Sequence, residues 1–365
     1  MKVKNHIKNY CEFLLFLLLK RVLPIYKKNE NSLLFINTGE IGDLVVSSVL
    51  LENIELFNNY KKIRFLIKDE YLELFENYKG EAEFIGYTHK RYRFSIIYKI
   101  KLLKMLRTEG FHTVIHLSAA RGILNEELTF LTCGVKTFTL NSYRFYLGEY
   151  LANYFDKMYT SIIGADIINE YEKHIRLIKH LSDNENALIK FNNSVTFNEN
   201  NIKLIPDPKS IVIAPFSLLS NRDWSFEYFK NLISILSEKY KIVLLGSKDQ
   251  GKKLSGLTDN KDITIYAGSL KLCEIPLVIK TAGLFIGLDS GLTHIALKMN
   301  VPLIAIIGGG EHGRFFPYKE SENVRYLYHQ MDCFLCHWQC SKSEMFCLTE
   351  IKPEKVINAV YEMLN

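Results

Sequence analysis

No apolar run in this 365-residue sequence is long enough to cross a bilayer, which takes about 20 residues. The longest is "FLLFLLL", Phe13–Leu19. No small-residue cleavage site comes after it, so it does not read as a secretory signal. The next residues are "KRVLPIYKKN", where Lys20, Arg21, Lys27 and Lys28 would hold the run at an anionic surface. The alternative is an amphipathic helix packed on the body of the protein. Acid is scarce in two places. Residues 1–28 hold seven Lys or Arg against Glu12 alone, a charge of +6. Residues 88–107 hold seven and no acid, a charge of +7, so the rest of the chain carries about −7 against the overall +6. Both patches suit an anionic partner: a membrane surface, a phosphorylated glycolipid or a nucleic acid.

A disulfide framework is also lacking. Cys11, Cys133 and Cys273 are scattered in apolar or helical context and read as buried thiols. Cys333, Cys336, Cys340 and Cys347 form one cluster, "CFLCHWQCSKSEMFC". Without a secretory signal, such a cluster is expected to bind metal or to stay reduced. Its C-x2-C-x3-C-x6-C spacing is compact enough to close around a structural zinc, with His337 as a spare ligand. It is not one of the standard finger spacings.

What is present is alternation. "SLLFIN", "KIRFLIK", "EFIGY", "FHTVIHLS" and "VKTFTL" read as strands. Helices lie between them, including "EYLELFENY" and a stripe of Ile96, Ile100 and Leu103. After a helix over Glu170–Leu181 comes an Asn-rich stretch closed by two prolines, which reads as a boundary. The alternation then restarts with "SIVIAPF", "KIVLLGS", "ITIYAG", "GLFIGLD" and "PLIAIIGG". This predicts an α/β protein of two doubly wound, Rossmann-like domains facing a cleft. The expected divisions are an N-terminal helix at 1–30, domains at 31–182 and 209–350, a linker at 183–208, and a final helix at 351–365.

Three strand-to-helix turns carry chemistry. In "NTGEIGD", Gly39 and Gly42 let backbone approach a ligand, and Asp43 reads as an N-cap or as a general base. No Lys-Ser/Thr comes after the glycines, so the turn is not a P-loop. In "APFSLLSNRDWSFEYF", Ser217 and Arg222 lie in the loop before a helix, where a guanidinium can clamp a pyrophosphate. In "GLDSGLTHIALK", Ser290, Gly291 and Thr293 offer hydroxyls and backbone N–H groups to a diphosphate, and Asp289 suits sugar hydroxyls. His294 would donate to a phosphate or merely pack. Gly308 and Gly309 end the next strand, where the lack of a side chain admits a ligand.

These segments, above all "FIGLDSGLTHIALKMNVPLIAIIGG", resemble glycosyltransferase family 9, the heptosyltransferase-like family. The resemblance implies a GT-B fold and inverting transfer without a catalytic metal, from a nucleotide-diphosphate sugar to a lipopolysaccharide-core or other cell-surface glycan. It implies Asp43 as base and Asp289, Ser290, Gly291 and His294 in the donor site. Gly39, Gly42, Lys101 and Lys104 are expected on the acceptor side, at the inner face of the cytoplasmic membrane, with no nucleic acid involved. Arg222 stands where the family usually has Lys, "APFSLLS" replaces the usual Pro-Gly-Ala-Ser loop, and "GGGEHGRFFPY" replaces a Gly-Pro-Thr stretch. The rival expectations are an epimerase or hydrolase on the same fold, or a non-catalytic glycan- or membrane-binding protein.

Overall fold

Apolar runs bounded by turns become parallel strands when helices cover both of their faces. The computed structural model describes residues 2–76, 78–191, 207–257 and 260–364, with side chains from Lys8 onward. The chain divides into two units, Met1–Phe75 with Lys79–Lys190, and Glu76–Tyr78 with Phe191–Asn365. Of the 183–208 stretch read as a linker, residues 192–206 lie outside the described residues.

The first unit holds β1 (Asn29–Ile36), β2 (Lys62–Lys68), β3 (Ala82–Tyr87), β4 (Phe111–His116), β5 (Lys136–Leu140) and β6 (Ser161–Ile163). The second holds β7 (Ile211–Ala214), β8 (Ile242–Leu244), β9 (Ile263–Ile265), β10 (Leu284–Leu288), β11 (Leu303–Ile306) and β12 (Val324–Leu327). The sheet orders are β3-β2-β1-β4-β5-β6 and β12-β11-β10-β7-β8-β9. Every pairing is parallel. Numbered within its own unit, each sheet has the Rossmann order 3-2-1-4-5-6. The order reverses between β1 and β4 in one unit, and between β7 and β10 in the other. Ligands of such sheets bind outside the strands' carboxyl ends at that reversal.

The N-terminal helix, Lys2–Val22, uses its apolar run on two faces. Phe13, Phe16, Leu19 and Leu23 are buried in the first unit's core. Phe16 meets Phe155 at 5.3 Å between centroids, and Phe13 meets Tyr154 at 4.9 Å. At about 1.5–3 kcal/mol per buried side chain, this face contributes roughly 6–12 kcal/mol before entropy. Arg107 fastens the helix's end: its Nη1 donates to the carbonyls of Leu23 at 2.6 Å and Pro24 at 2.9 Å. The other face leaves Leu14 at 64% and Val22 at 61% exposure. Among the described residues, no helix is long and apolar enough to cross a membrane.

The 88–107 region differs from expectation. It forms two helices, His89–Phe94 and Ile96–Glu109, parted at Ser95, whose side chain caps the second by accepting from the Tyr98 N–H. Ile96 is exposed, and the buried face is Lys99, Leu102, Leu103, Leu106 and Arg107. Lys99 pairs with the buried Glu127, so it and Arg107 are structural cations rather than part of a basic surface. Lys101 and Lys104 remain exposed. The segment read as a helix at "EYLELFENY" is a 3-10 turn over Asp69–Phe75.

Candidate active site

In the first unit the β1 turn leads into a helix over Ile41–Ser47. Asp43 is its third residue, in a capping box with Glu40. Its Oδ2 accepts from the Glu40 N–H at 3.1 Å, and its Oδ1 from the Ala119 N–H at 3.0 Å. Ala119 lies just after β4, so the carboxylate sits at the sheet's reversal point. Two backbone donors fix its direction. Gly39 is required by this fold-over, since a Cβ there would lie 2.5 Å from the Asp43 side chain. Its spare space therefore belongs to Asp43, not to an acceptor.

Beside it, Glu40 accepts from Lys68 Nζ at 2.6 Å and from the Tyr71 hydroxyl at 2.7 Å. Burial pushes the Glu40 carboxyl up, but these two hydrogen bonds, together with the charges of Lys68 and His89, outweigh it and leave its pKa below the usual range. His116, the buried last residue of β4, is held neutral by burial and the nearby Arg121 charge, its pKa lowered to about 3.

In the second unit, β7 and β10 end side by side. Arg222 lies beyond β7, and its guanidinium is 5.3 Å from the Trp338 ring centroid, with Nε buried and unpartnered. Asp289 comes directly after β10. Burial pushes its carboxyl up to about 6, with Arg222 and Arg314 opposing and Glu311 adding to the rise. Arg314 Nη1 donates to Glu311 at 2.8 Å. Ser290 is the N-cap of the Gly291–Lys298 helix, and its side chain makes no capping hydrogen bond. That arrangement offers a cation, a helix N-terminus and a carboxyl of lowered acidity at one reversal point, a combination suited to a diphosphate.

Residues 169–342 match the family model described as "Glycosyltransferase family 9 (heptosyltransferase)". Over that segment, just under half of its length, the chain is similar to glycosyltransferase family 9. Lipopolysaccharide heptosyltransferase 3 of Escherichia coli is 30% identical over 108 residues, which are 28% of this chain and 32% of that protein. The matched stretch thus spans about a third of that relative's length. The family 9 glycosyl transferase of Veillonella parvula DSM 2008 superposes with a TM-score of 0.72 at 17% identity, over 93% of this chain and 99% of that one. E. coli heptosyltransferase WaaC with ADP-2-deoxy-2-fluoro heptose gives 0.66 at 16% identity, over 91% of this chain and 99% of that one. These likenesses identify the two Rossmann-like units as a GT-B-like fold.

In this family 9-like chain, several expected site residues are engaged elsewhere. Thr293 is fully buried and donates to the Leu288 carbonyl, closing its own turn. His294 is buried and neutral, its pKa lowered to about 3 by burial, and its ring stacks on Phe316 at 4.3 Å. Ser217 Oγ donates to the Leu219 carbonyl at 2.7 Å, which spends its hydroxyl within the loop. Gly308 and Gly309 are covered: a Cβ on the first would collide with Trp338, and on the second with Phe334. Their missing side chains admit the cysteine loop rather than a ligand. Gly42 lies in the first turn of the Ile41–Ser47 helix, and Lys101 and Lys104 sit on the Ile96–Glu109 helix.

Sequence reasoning missed Lys68, Tyr71, Glu311, Arg314 and Trp338. Lys68 had a visible signal, a lysine closing an apolar strand at its carboxyl end. The four clustered cysteines all line one cavity of about 20 Å³ beside Trp338. Burial pushes the Cys347 thiol up, and its three neighbours add to the rise. Among the described residues, no group of three or more His, Cys, Asp or Glu stands placed to hold a metal ion.

Proposed function

We propose that this chain transfers a sugar, heptose or a related one, from a nucleotide-diphosphate sugar to a hydroxyl of a lipopolysaccharide-core or similar glycan. The supporting observation is the pair of polar clusters at the reversal points of two Rossmann sheets, with the Asp43 carboxylate held by two backbone N–H groups. Asp43 takes the proton of the acceptor hydroxyl as its oxygen bonds to the anomeric carbon. The bond to the diphosphate oxygen breaks with its electron pair, inverting the centre. Negative charge grows on the leaving diphosphate, and Arg222 and the N–H groups at the start of the Gly291–Lys298 helix neutralise it. No metal takes part in this scheme.

The test is incubation with ADP-heptose and with ADP-, GDP- and UDP-hexoses, with and without a deacylated core oligosaccharide. Nucleotide release that needs the oligosaccharide is the expected result. Release without it would make the protein a hydrolase, and a rearranged donor an epimerase. Donor binding without any turnover would make it a binding protein.

Attachment to the inner membrane surface is part of this reading. Leu14, Leu18 and Val22 recur along the exposed face of the N-terminal helix, beside Lys20 and Arg21. Such a face suits an anionic leaflet.

The four cysteines are proposed to close around a structural zinc. All four residues line one cavity, and Leu335, His337 and Trp338 between them adopt left-handed backbone at φ 66°, 51° and 59°. Strain of this kind persists only where surrounding bonds impose it. Elemental analysis of the purified protein should find one zinc per chain, lost in Cys336→Ser. A protein free of zinc after expression in zinc-supplemented medium would overturn it.

A further inference from the structure

Trp338 is one of two tryptophans in the chain, and the two are held differently. Trp224 is buried and donates its indole N–H to the Ile351 carbonyl at 2.7 Å. The Trp338 N–H is buried without an acceptor, so packing and backbone alone place its ring.

The cradle for that ring is the glycine run just after β11. A Cβ on Gly308 would lie 2.6 Å from the outer edge of the indole, and one on Gly310 would collide with the bond shared by its two rings. Two backbone bonds fold the loop onto the same run. The Leu335 N–H donates to the Gly309 carbonyl at 2.8 Å, and the His337 N–H to the Gly310 carbonyl at 2.8 Å. Trp338 itself takes left-handed backbone at φ 59°, a conformation that an aromatic residue enters only under constraint. The ring is therefore set from both sides, by its own backbone and by the missing side chains beneath it.

What the ring meets is Arg222. The guanidinium stands 5.3 Å from the indole centroid, inside the cation–π limit of about 6 Å, and Trp offers the strongest such face of any side chain. Arg222 needs an anchor. It ends a short 3-10 turn, Ser220–Arg222, in a loop whose Leu218 and Leu219 are exposed. A long side chain on such a loop is spread over many rotamers unless a neighbour fixes it. Its Nε has no protein acceptor, which leaves the donor to a ligand. Its charge also reaches Asp289 after β10, where it opposes the rise that burial causes in that carboxyl.

We infer that Trp338 is a positioning residue of the donor site: its indole, set on the glycines after β11, holds the Arg222 guanidinium in the orientation that receives a diphosphate. It acts through Arg222 and not on the reacting atoms. The inference rests on the reading of Arg222 as the clamp for the diphosphate.

The test is a double-mutant cycle, read by calorimetry with ADP, GDP and UDP as probes. Trp338→Leu fills the cradle without an aromatic face, whereas Trp338→Phe keeps one. Trp338 is half-buried in a loop, so both variants should melt close to wild type. For the tightest-bound nucleotide, Trp338→Leu should weaken binding about tenfold or more, and Trp338→Phe should stay within about threefold of wild type. The double variant Arg222→Ala with Trp338→Leu should bind no more weakly than Arg222→Ala alone. Wild-type affinity in Trp338→Leu, or losses that add in the double variant, would overturn the inference and leave Arg222 as the clamp. Normal binding by Arg222→Ala, or no binding of any of the three nucleotides to wild type, would sink the clamp reading and the inference with it.

Discussion

The Ala119 N–H donates to Asp43 Oδ1 over 3.0 Å, joining two residues 76 positions apart in the chain. β1 and β4 are neighbours in the sheet, so the loops beyond them leave at the same edge. The bond fixes the direction of a carboxylate that would otherwise serve only to cap a helix. Asp43→Asn keeps an acceptor for Ala119 but removes the basic oxygen. Turnover should fall at least about a hundredfold, the usual worth of a positioned base, with donor affinity little changed. Steady-state kinetics beside donor titration checks this.

Arg222 lies over Trp338, with its Nε in want of an acceptor. Arg222→Ala should weaken nucleotide-sugar binding roughly ten- to a hundredfold, as expected for losing about 1.5–3 kcal/mol of charged hydrogen bonding. Arg222→Lys should fall between, since an ammonium keeps the charge but not the planar stacking. Calorimetric titration with the donor separates the three.

Asp289 carries a pKa raised to about 6, chiefly by burial. Between about pH 4 and 6 the folded protein holds this proton while the unfolded chain does not. The contribution to stability is therefore full below about pH 4 and is lost as pH rises through 6. Asp289→Asn should melt increasingly higher than wild type as pH goes from 4 to 7. A constant difference across that range would show that the carboxyl does not titrate there.

Lys99 and Glu127 form a buried pair between two helices of the first unit. Lys99→Met strands the carboxylate and should cost about 3–5 kcal/mol, whereas adding Glu127→Leu should restore most of it. Urea unfolding of the two variants measures both.

Leu14 and Leu18 are exposed, so aspartate at both should leave the fold intact while abolishing salt-sensitive binding to anionic vesicles. Deleting the whole helix is a poorer test, because it uncovers the core around Phe16. Sedimentation with vesicles at low and high salt gives the comparison.

Most strands were legible because buried parallel strands are short, branched and uninterrupted. β6 and β12 were not, being edge strands of three and four residues with little apolar signal. Turn chemistry placed Asp43, Arg222 and Asp289 where the sheets reverse. The same reasoning could not see that Thr293 and Ser217 spend their hydroxyls on their own backbone, since hydroxyl partners depend on loop geometry. Nor could it see that Gly308 and Gly309 make room for the rings of Trp338 and Phe334, which arrive from a later segment. Charge counts misled for one reason: Lys99 and Arg107 have long stems that reach inward to partners no local pattern reveals.

Phe16 finds Phe155 only after the chain has returned from the strands of the first sheet. At translation rates of about 5–20 residues per second, the N-terminal helix therefore waits on the order of ten seconds for its partner. Through that interval both of its apolar faces are open to whatever lies beside the ribosome. Another apolar surface or a chaperone can meet the nascent helix before its own domain does, so the order of synthesis makes this part of the core the last to close.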